Sequence, residues 1–138
     1  MHYSAEIVIL PANLVSSPAS VDLKLAAGII KHVSVIFPPG CARMCGIQLY
    51  QGSTQVLPTN LGQFYSEDAY TIEADCYIPI DSSTNVLSVI GWNTGTYYKH
   101  IIHVLVDVKG ADEPDEYTAV TALGNGIASL MDLIRSWL

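Results

Sequence analysis

The sequence predicts an all-β fold: an antiparallel two-sheet β-sandwich, jelly-roll or Ig-like, with a short C-terminal amphipathic helix. Three observations predict it. Apolar residues recur with a period of two over most of the chain, β-branched and aromatic residues dominate those stretches, and Pro, Gly and Asx clusters interrupt them at spacings of about ten residues. The 138 residues form one domain by size and can bury roughly 70% of their unfolded surface, so the core needs no disulfide or metal. The expected organisation is a sandwich over 1–110, an acidic linker over 111–124 and a helix over 125–138.

The elements follow in order. Residues 3–10 read as a first strand ended by Pro11, and the stretch to Pro18 with Ser16 and Ser17 as a loop. Val21, Leu23 and Leu25 alternate with Asp22 and Lys24 in a second strand. After the bend Ala26-Ala27-Gly28, a third is expected to place Ile29, Lys31, Val33, Val35 and Phe37 on one face. Pro38-Pro39-Gly40 stops it, because two prolines remove ladder donors. Residues 45–51 and 55–57 read as a hairpin around Gly52, and 70–80 as the clearest two-faced strand, with Pro79 placing its end at a sheet edge or bulge. Asp81 to Asn85 turn it into the next strand.

The stretch 86–108 is expected to form the central hairpin, two strands folded on Asn93-Thr94-Gly95-Thr96. Beyond it the period changes. Asp112, Glu113, Asp115 and Glu116 mark a solvated connector, with calcium binding as the alternative. Ile127, Leu130, Met131, Ile134, Trp137 and Leu138 then recur at helical spacing from about Asn125. A helix of about a dozen residues is marginal alone, so its apolar face has to dock, either on the open end of the sandwich or on a neighbouring subunit.

Composition narrows the function. Hydrophobic residues make up 50% of the chain and charged ones 14%, too few charges for a small monomer that keeps its whole surface in water; assembly is expected. Thirteen acids face six basic residues, for a net charge of −7, so there is no basic stripe for nucleic acid or an anionic membrane. No apolar run approaches the ~20 residues of a membrane span, and Met1-His2-Tyr3-Ser4 lacks the charged start of a secretory signal. The chain is expected to be soluble. Cys41, Cys45 and Cys76 are an odd set in a chain that needs no crosslink, so reduced thiols are expected, with a pairing of Cys76 to Cys41 or Cys45 left open.

No residue set announces a reaction, and no cofactor is expected. His32, His100 and His103, with Asp75 or Cys45, are the candidates for a metal site, but His100 and His103 are three apart in a strand and point to opposite faces. Cys41 and Cys45 in GCARMCG lack a second ligand pair; small core residues are the preferred reading over a nucleophile. The serines have no G-x-S-x-G setting, and neither a phosphate loop nor H-E-x-x-H occurs. Trp92, Tyr97 and Tyr98 crowd one turn, with Tyr50, Phe64, Tyr65, Tyr70 and Tyr77 elsewhere. They form either a sugar-stacking platform or, as preferred here, a core tryptophan with tyrosines rimming a protein interface.

FPPG at 37–40, LPTN at 57–60 and GWN at 91–93, followed by a His-bearing strand, resemble the small β-sandwich virion proteins of tailed bacteriophages, of the capsid-decoration or fibre-base type. The resemblance covers 21–108 as a pattern of turns and transfers no functional residue. It implies a symmetric homo-oligomer, often a trimer, bound to other capsid or tail proteins in a virion after synthesis in the host cytoplasm. The expected function is therefore a non-enzymatic structural protein acting through protein–protein contacts, with Ile127, Leu130, Met131, Ile134, Trp137 and Leu138 at the interface. The alternative function is a carbohydrate-binding module using Trp92, Tyr97 and Tyr98, and the alternative location is the cytoplasm.

Overall fold

The computed structural model describes residues 1–95, 97–110 and 134–135. The expected linker and all of the expected helix except Ile134 and Arg135 lie outside the described residues, among them Ile127, Leu130, Met131, Trp137 and Leu138. Eight strands are present among the described residues: β1 (His2–Ile9), β2 (Ala19–Lys24), β3 (Gly28–Phe37), β4 (Cys45–Gln51), β5 (Thr54–Leu57), β6 (Tyr70–Ile80), β7 (Val86–Asn93) and β8 (His100–Gly110). They form two antiparallel four-stranded sheets, ordered β1-β8-β3-β6 and β2-β7-β4-β5.

The alternation expected from the sequence builds the core. Ile7 and Ile9 of β1, Val33, Val35 and Phe37 of β3, and Ile102, Val104 and Val106 of β8 face Ile47 and Leu49 of β4 and Leu87 and Val89 of β7, all fully or nearly fully buried. At about 25 cal/mol per Å² of apolar surface, this shared layer is the main force holding the two sheets together. Gly91 lies inward among Ile7, Ile9 and Ile47; a Cβ there would come within 2.7 Å of Ile9 Cδ1.

Two expectations are corrected. The stretch 86–108 is not a hairpin: β7 pairs with β2 and β4, β8 with β1 and β3, and the connection passes from one sheet to the other. Asn93 and Thr94 give their N–H groups to Asn13 and Met44 of other loops rather than across a turn. The β6–β7 connection likewise changes sheet. Among the described residues, only the predicted β4–β5 hairpin joins consecutive strands in one sheet, through the two residues between Gln51 and Thr54. Second, β3 does not alternate without interruption: its register shifts between Ile30 and His32 against both β6 and β8. Against β8 the extra residue is Lys31, which brings Ile30 onto the same buried side as Val33, as a bulge does by placing two residues opposite one; against β6 the surplus lies on the partner, where Cys76 and Tyr77 stand between Asp75 and Ile78 opposite Lys31 alone.

Candidate interaction surface

Every strand pair is antiparallel, so the connections segregate. The loops 10–18, 38–44 and 58–69 and the described residues 94–95 and 97–99 gather at one end and 25–27, 52–53 and 81–85 at the other. Hydrogen bonds tie the first group together: Asn93 N–H to Asn13 O, Thr94 N–H to Met44 O, Ala69 N–H to Pro38 O, and Ser66 Oγ–H to Arg43 O. Asp68 Oδ1 accepts from the N–H groups of Gly40 and Ala42, fixing the loop in which Ala42 and Arg43 take positive φ values of 49° and 58°.

The two ends differ chemically. Leu10, Leu14, Val15, Met44, Leu61, Phe64, Tyr97 and Tyr98, all exposed, lie in the first group of loops. Its charges, Arg43 and Lys99 against Glu67 and Asp68, balance. The opposite end exposes no large apolar side chain among the described residues of its loops and is closed by Asn85 Nδ2 to Leu25 O, Gln51 Nε2 to Thr84 O, and the Asp81 carboxylate accepting from the N–H groups of Ser83 and Thr84. An apolar, charge-balanced end opposite a polar one is the asymmetry expected of a surface that meets another molecule.

Beside this end runs a cleft of ≈ 430 Å³ on the outer face of the second sheet. Ile90 and Trp92 of β7 and Gln48 and Tyr50 of β4 are its floor, and Val15 and Phe64 reach it from two loops. Trp92 is 6% exposed, yet it does not fill the core between the sheets. It points outward, and Phe64 covers it edge-on at 5.1 Å between ring centroids and 71° between planes. Gly46, paired with Trp92 across the ladder, makes room for it: a Cβ there would lie 2.4 Å from Trp92 Cε2.

The loop 58–69 is held over this face by polar groups as well. Ile47 and Tyr65 exchange both backbone hydrogen bonds at 2.9 Å. Gln55, buried, donates to Pro58 O and Gln63 O and accepts from Gly62 N–H and from Gln48 Nε2, while Tyr50 Oη donates to Gln48 Oε1. The sequence reading missed Gln48, Gln55 and Phe64 as a unit. Their link becomes visible only once β4, β5 and the following loop are stacked.

The predicted aromatic set is split. Tyr97 and Tyr98 are 90% and 76% exposed, whereas Trp92 is covered. Ile134, the described member of the predicted tail interface, is 48% exposed.

The outer face of the first sheet carries a row of His–acid pairs. In register across it, His2 opposes Asp107, Asp107 opposes His32, and His32 opposes Asp75. His32 Nδ1 is 2.7 Å from Asp75 Oδ1 and its Nε2 bonds Glu73 Oε2, which also accepts from Ser34 Oγ at 2.6 Å. Glu73 and then Asp75 hold the His32 pKa above its ordinary value, and Ser34 and His32 hold the Glu73 carboxyl below its own. His2 lies 3.5 Å from Asp107, and His103 3.6 Å from Glu6. Of the suspected metal set only His32 and Asp75 meet; His100 points inward and is buried, His103 faces out opposite Ile36, and Cys45 is in the core. Among the described residues no group of three or more His, Cys, Asp or Glu side chains is arranged to hold a metal ion.

The thiols are unpaired. Cys41 and Cys45 are 0% exposed. Burial pushes both up, Cys45 to about 12 with the Cys41 thiol beside it adding to the shift. That environment is the reverse of what a nucleophilic thiolate needs. Cys76 is half-buried on β6, its thiol 3.6 Å from Ile30 O. No helix among the described residues is long and apolar enough to cross a membrane. Comparison with known proteins finds no family model that matches this chain and no curated protein similar to it.

Proposed function

We infer that this protein is a non-enzymatic assembly subunit, a jelly-roll sandwich that acts by binding copies of itself and other proteins, of the kind that decorates a virion capsid or tail. One observation carries the reading: the exposed apolar side chains of four loops collect at one charge-balanced end of a sandwich whose other end is polar. The strand order β1-β8-β3-β6 and β2-β7-β4-β5 supports a jelly roll over an Ig-like sandwich, in which the first two strands share a sheet. The net charge of −7 favours protein partners over nucleic acid. The apolar positions of the tail, Ile127 to Leu138, offer a second contact in this reading, and the symmetric homo-oligomer, often a trimer in virion proteins of that kind, sits on a capsid or tail after synthesis in the host cytoplasm.

Light scattering coupled to gel filtration tests this. A single oligomer of defined mass is the expected result. Deleting 127–138 should weaken assembly while the β signal in circular dichroism survives; a truncated chain that unfolds would make the tail part of the core. Exposed Tyr97 and Tyr98, together with a cleft that offers amide and hydroxyl groups, favour one other reading, a carbohydrate-binding module. A monomer whose tryptophan fluorescence shifts on adding oligosaccharide would establish that reading and end the first.

A further inference from the structure

We propose that Tyr97 and Tyr98 of one copy of this chain seat in the cleft beside Trp92 of a second copy. The proposal rests on the assembly reading and specifies its contact. Tyr97 is the most exposed large hydrophobic side chain among the described residues, and at 90% and 76% exposure neither tyrosine occupies the cleft of its own chain. Burying two such side chains removes about 300–500 Å² from water, roughly half of the ~800 Å² per partner typical of a stable interface. Leu14, Leu61 and Met44, exposed on the same end, supply apolar rim for the remainder.

The cleft matches tyrosine in both size and chemistry. Its ≈ 430 Å³ lies within the ~300–1,000 Å³ range of sites that enclose a small organic group. Val15, Phe64 and Ile90 offer apolar wall to a ring. Gln48 Oε1, which takes one bond from Tyr50 Oη, has capacity for a second donor such as a phenolic O–H. Charge does not oppose the contact, because Arg43 and Lys99 balance Glu67 and Asp68 at this end although each copy carries −7 in total. A knob and a pocket at different positions on one molecule make a head-to-tail contact, which closes into a ring when the rotation between copies allows.

Sedimentation of the full chain over a range of concentrations, with two variants on exposed side chains, tests the proposal. Tyr97→Ser/Tyr98→Ser removes the knob, and Val15→Arg blocks the cleft. Each alone should sediment as a monomer with an unchanged β signal, and mixing them in equal amounts should restore a dimer, since one supplies an intact cleft and the other an intact knob. If the wild-type chain is oligomeric and the tyrosine variant keeps its mass, or the mixture stays monomeric, the contact proposed here is wrong while the assembly reading stands. A wild-type chain that is monomeric at every concentration overturns both. An oligosaccharide that protects the cleft of such a monomer would make a glycan the occupant instead.

Discussion

Substituting Gly46 tests whether the indole of Trp92 organises the outer face of the second sheet. A Cβ at Gly46 would lie 2.4 Å from Trp92 Cε2 and 2.6 Å from both Cζ2 and Nε1, far inside the ~3.5–4.0 Å at which carbon atoms attract. The ring cannot simply retreat, because Phe64 caps it at 5.1 Å. Gly46→Ala should therefore cost about 1–3 kcal/mol, the usual penalty of overpacking a filled site, and lower the urea midpoint by roughly 1 M for a protein of this size. In a Trp92→Leu background the obstacle is gone, and the same substitution should be neutral or stabilising by up to ~1 kcal/mol, because alanine has less backbone freedom to lose than glycine. Urea titrations of the four proteins, followed by circular dichroism at a β wavelength, give the coupling directly. Gly95→Ala is the control, its Cβ meeting only Met44 Sδ at 3.5 Å. A penalty of the same size with the indole present and with it replaced by Trp92→Leu would refute the reasoning.

Further expectations concern the first sheet and the thiols. Because the folded His32 pKa is raised, the stability it contributes is fully present below its unfolded value near 6.5 and fades as pH rises through the higher folded value. Glu73 is lowered, so its contribution is present above its unfolded value and fades as pH falls through the lower folded one. Urea midpoints measured from pH 5 to 8 should fall with a slope that His32→Gln removes; a slope unchanged by that variant would place the titration elsewhere. Alkylation at pH 8 followed by mass spectrometry should leave Cys41 and Cys45 unmodified in the native protein and label them in urea, since both are 0% exposed and held protonated. Rapid native labelling of either would mean the loop 38–44 opens far more readily than its bonds to Asp68 imply.

The strands were legible because alternation reports burial on one side, and nearly every predicted segment is a strand within a residue or two of its observed bounds. Pairing was not legible. A half-buried strand shows the same period whether its neighbour in sequence lies beside it or arches across the ~10 Å gap to the other sheet. Only Gly52-Ser53, the two residues between β4 and β5, impose a hairpin by their length. The Lys31 bulge escaped for a related reason, since Ile29 and Ile30 suit the core equally and only the partners β6 and β8 decide between them. The His32–Glu73–Asp75 cluster joins residues 41 and 43 apart in sequence, so no local spacing could mark it.

Trp92 shows the same ambiguity on the outer face of the second sheet. The preferred reading made it a core tryptophan, yet it is Leu87 and Val89 that face the core and Trp92 that lies on the outward side of β7; an outward tryptophan that is nevertheless buried needs a cover that alternation cannot supply. The cover is the loop 58–69, fixed by Phe64 on the indole, by the Ile47–Tyr65 exchange and by the Gln55 bonds. These anchors bear on the proposed contact. Both the floor and one wall of the cleft are set before any partner arrives, so little conformational entropy remains to be lost there on binding. In the proposed contact the remaining entropic cost would fall on the partner's tyrosines, which have only two side-chain torsions each to fix, so a cleft with a preset floor and wall is the arrangement that would let a contact of that size hold.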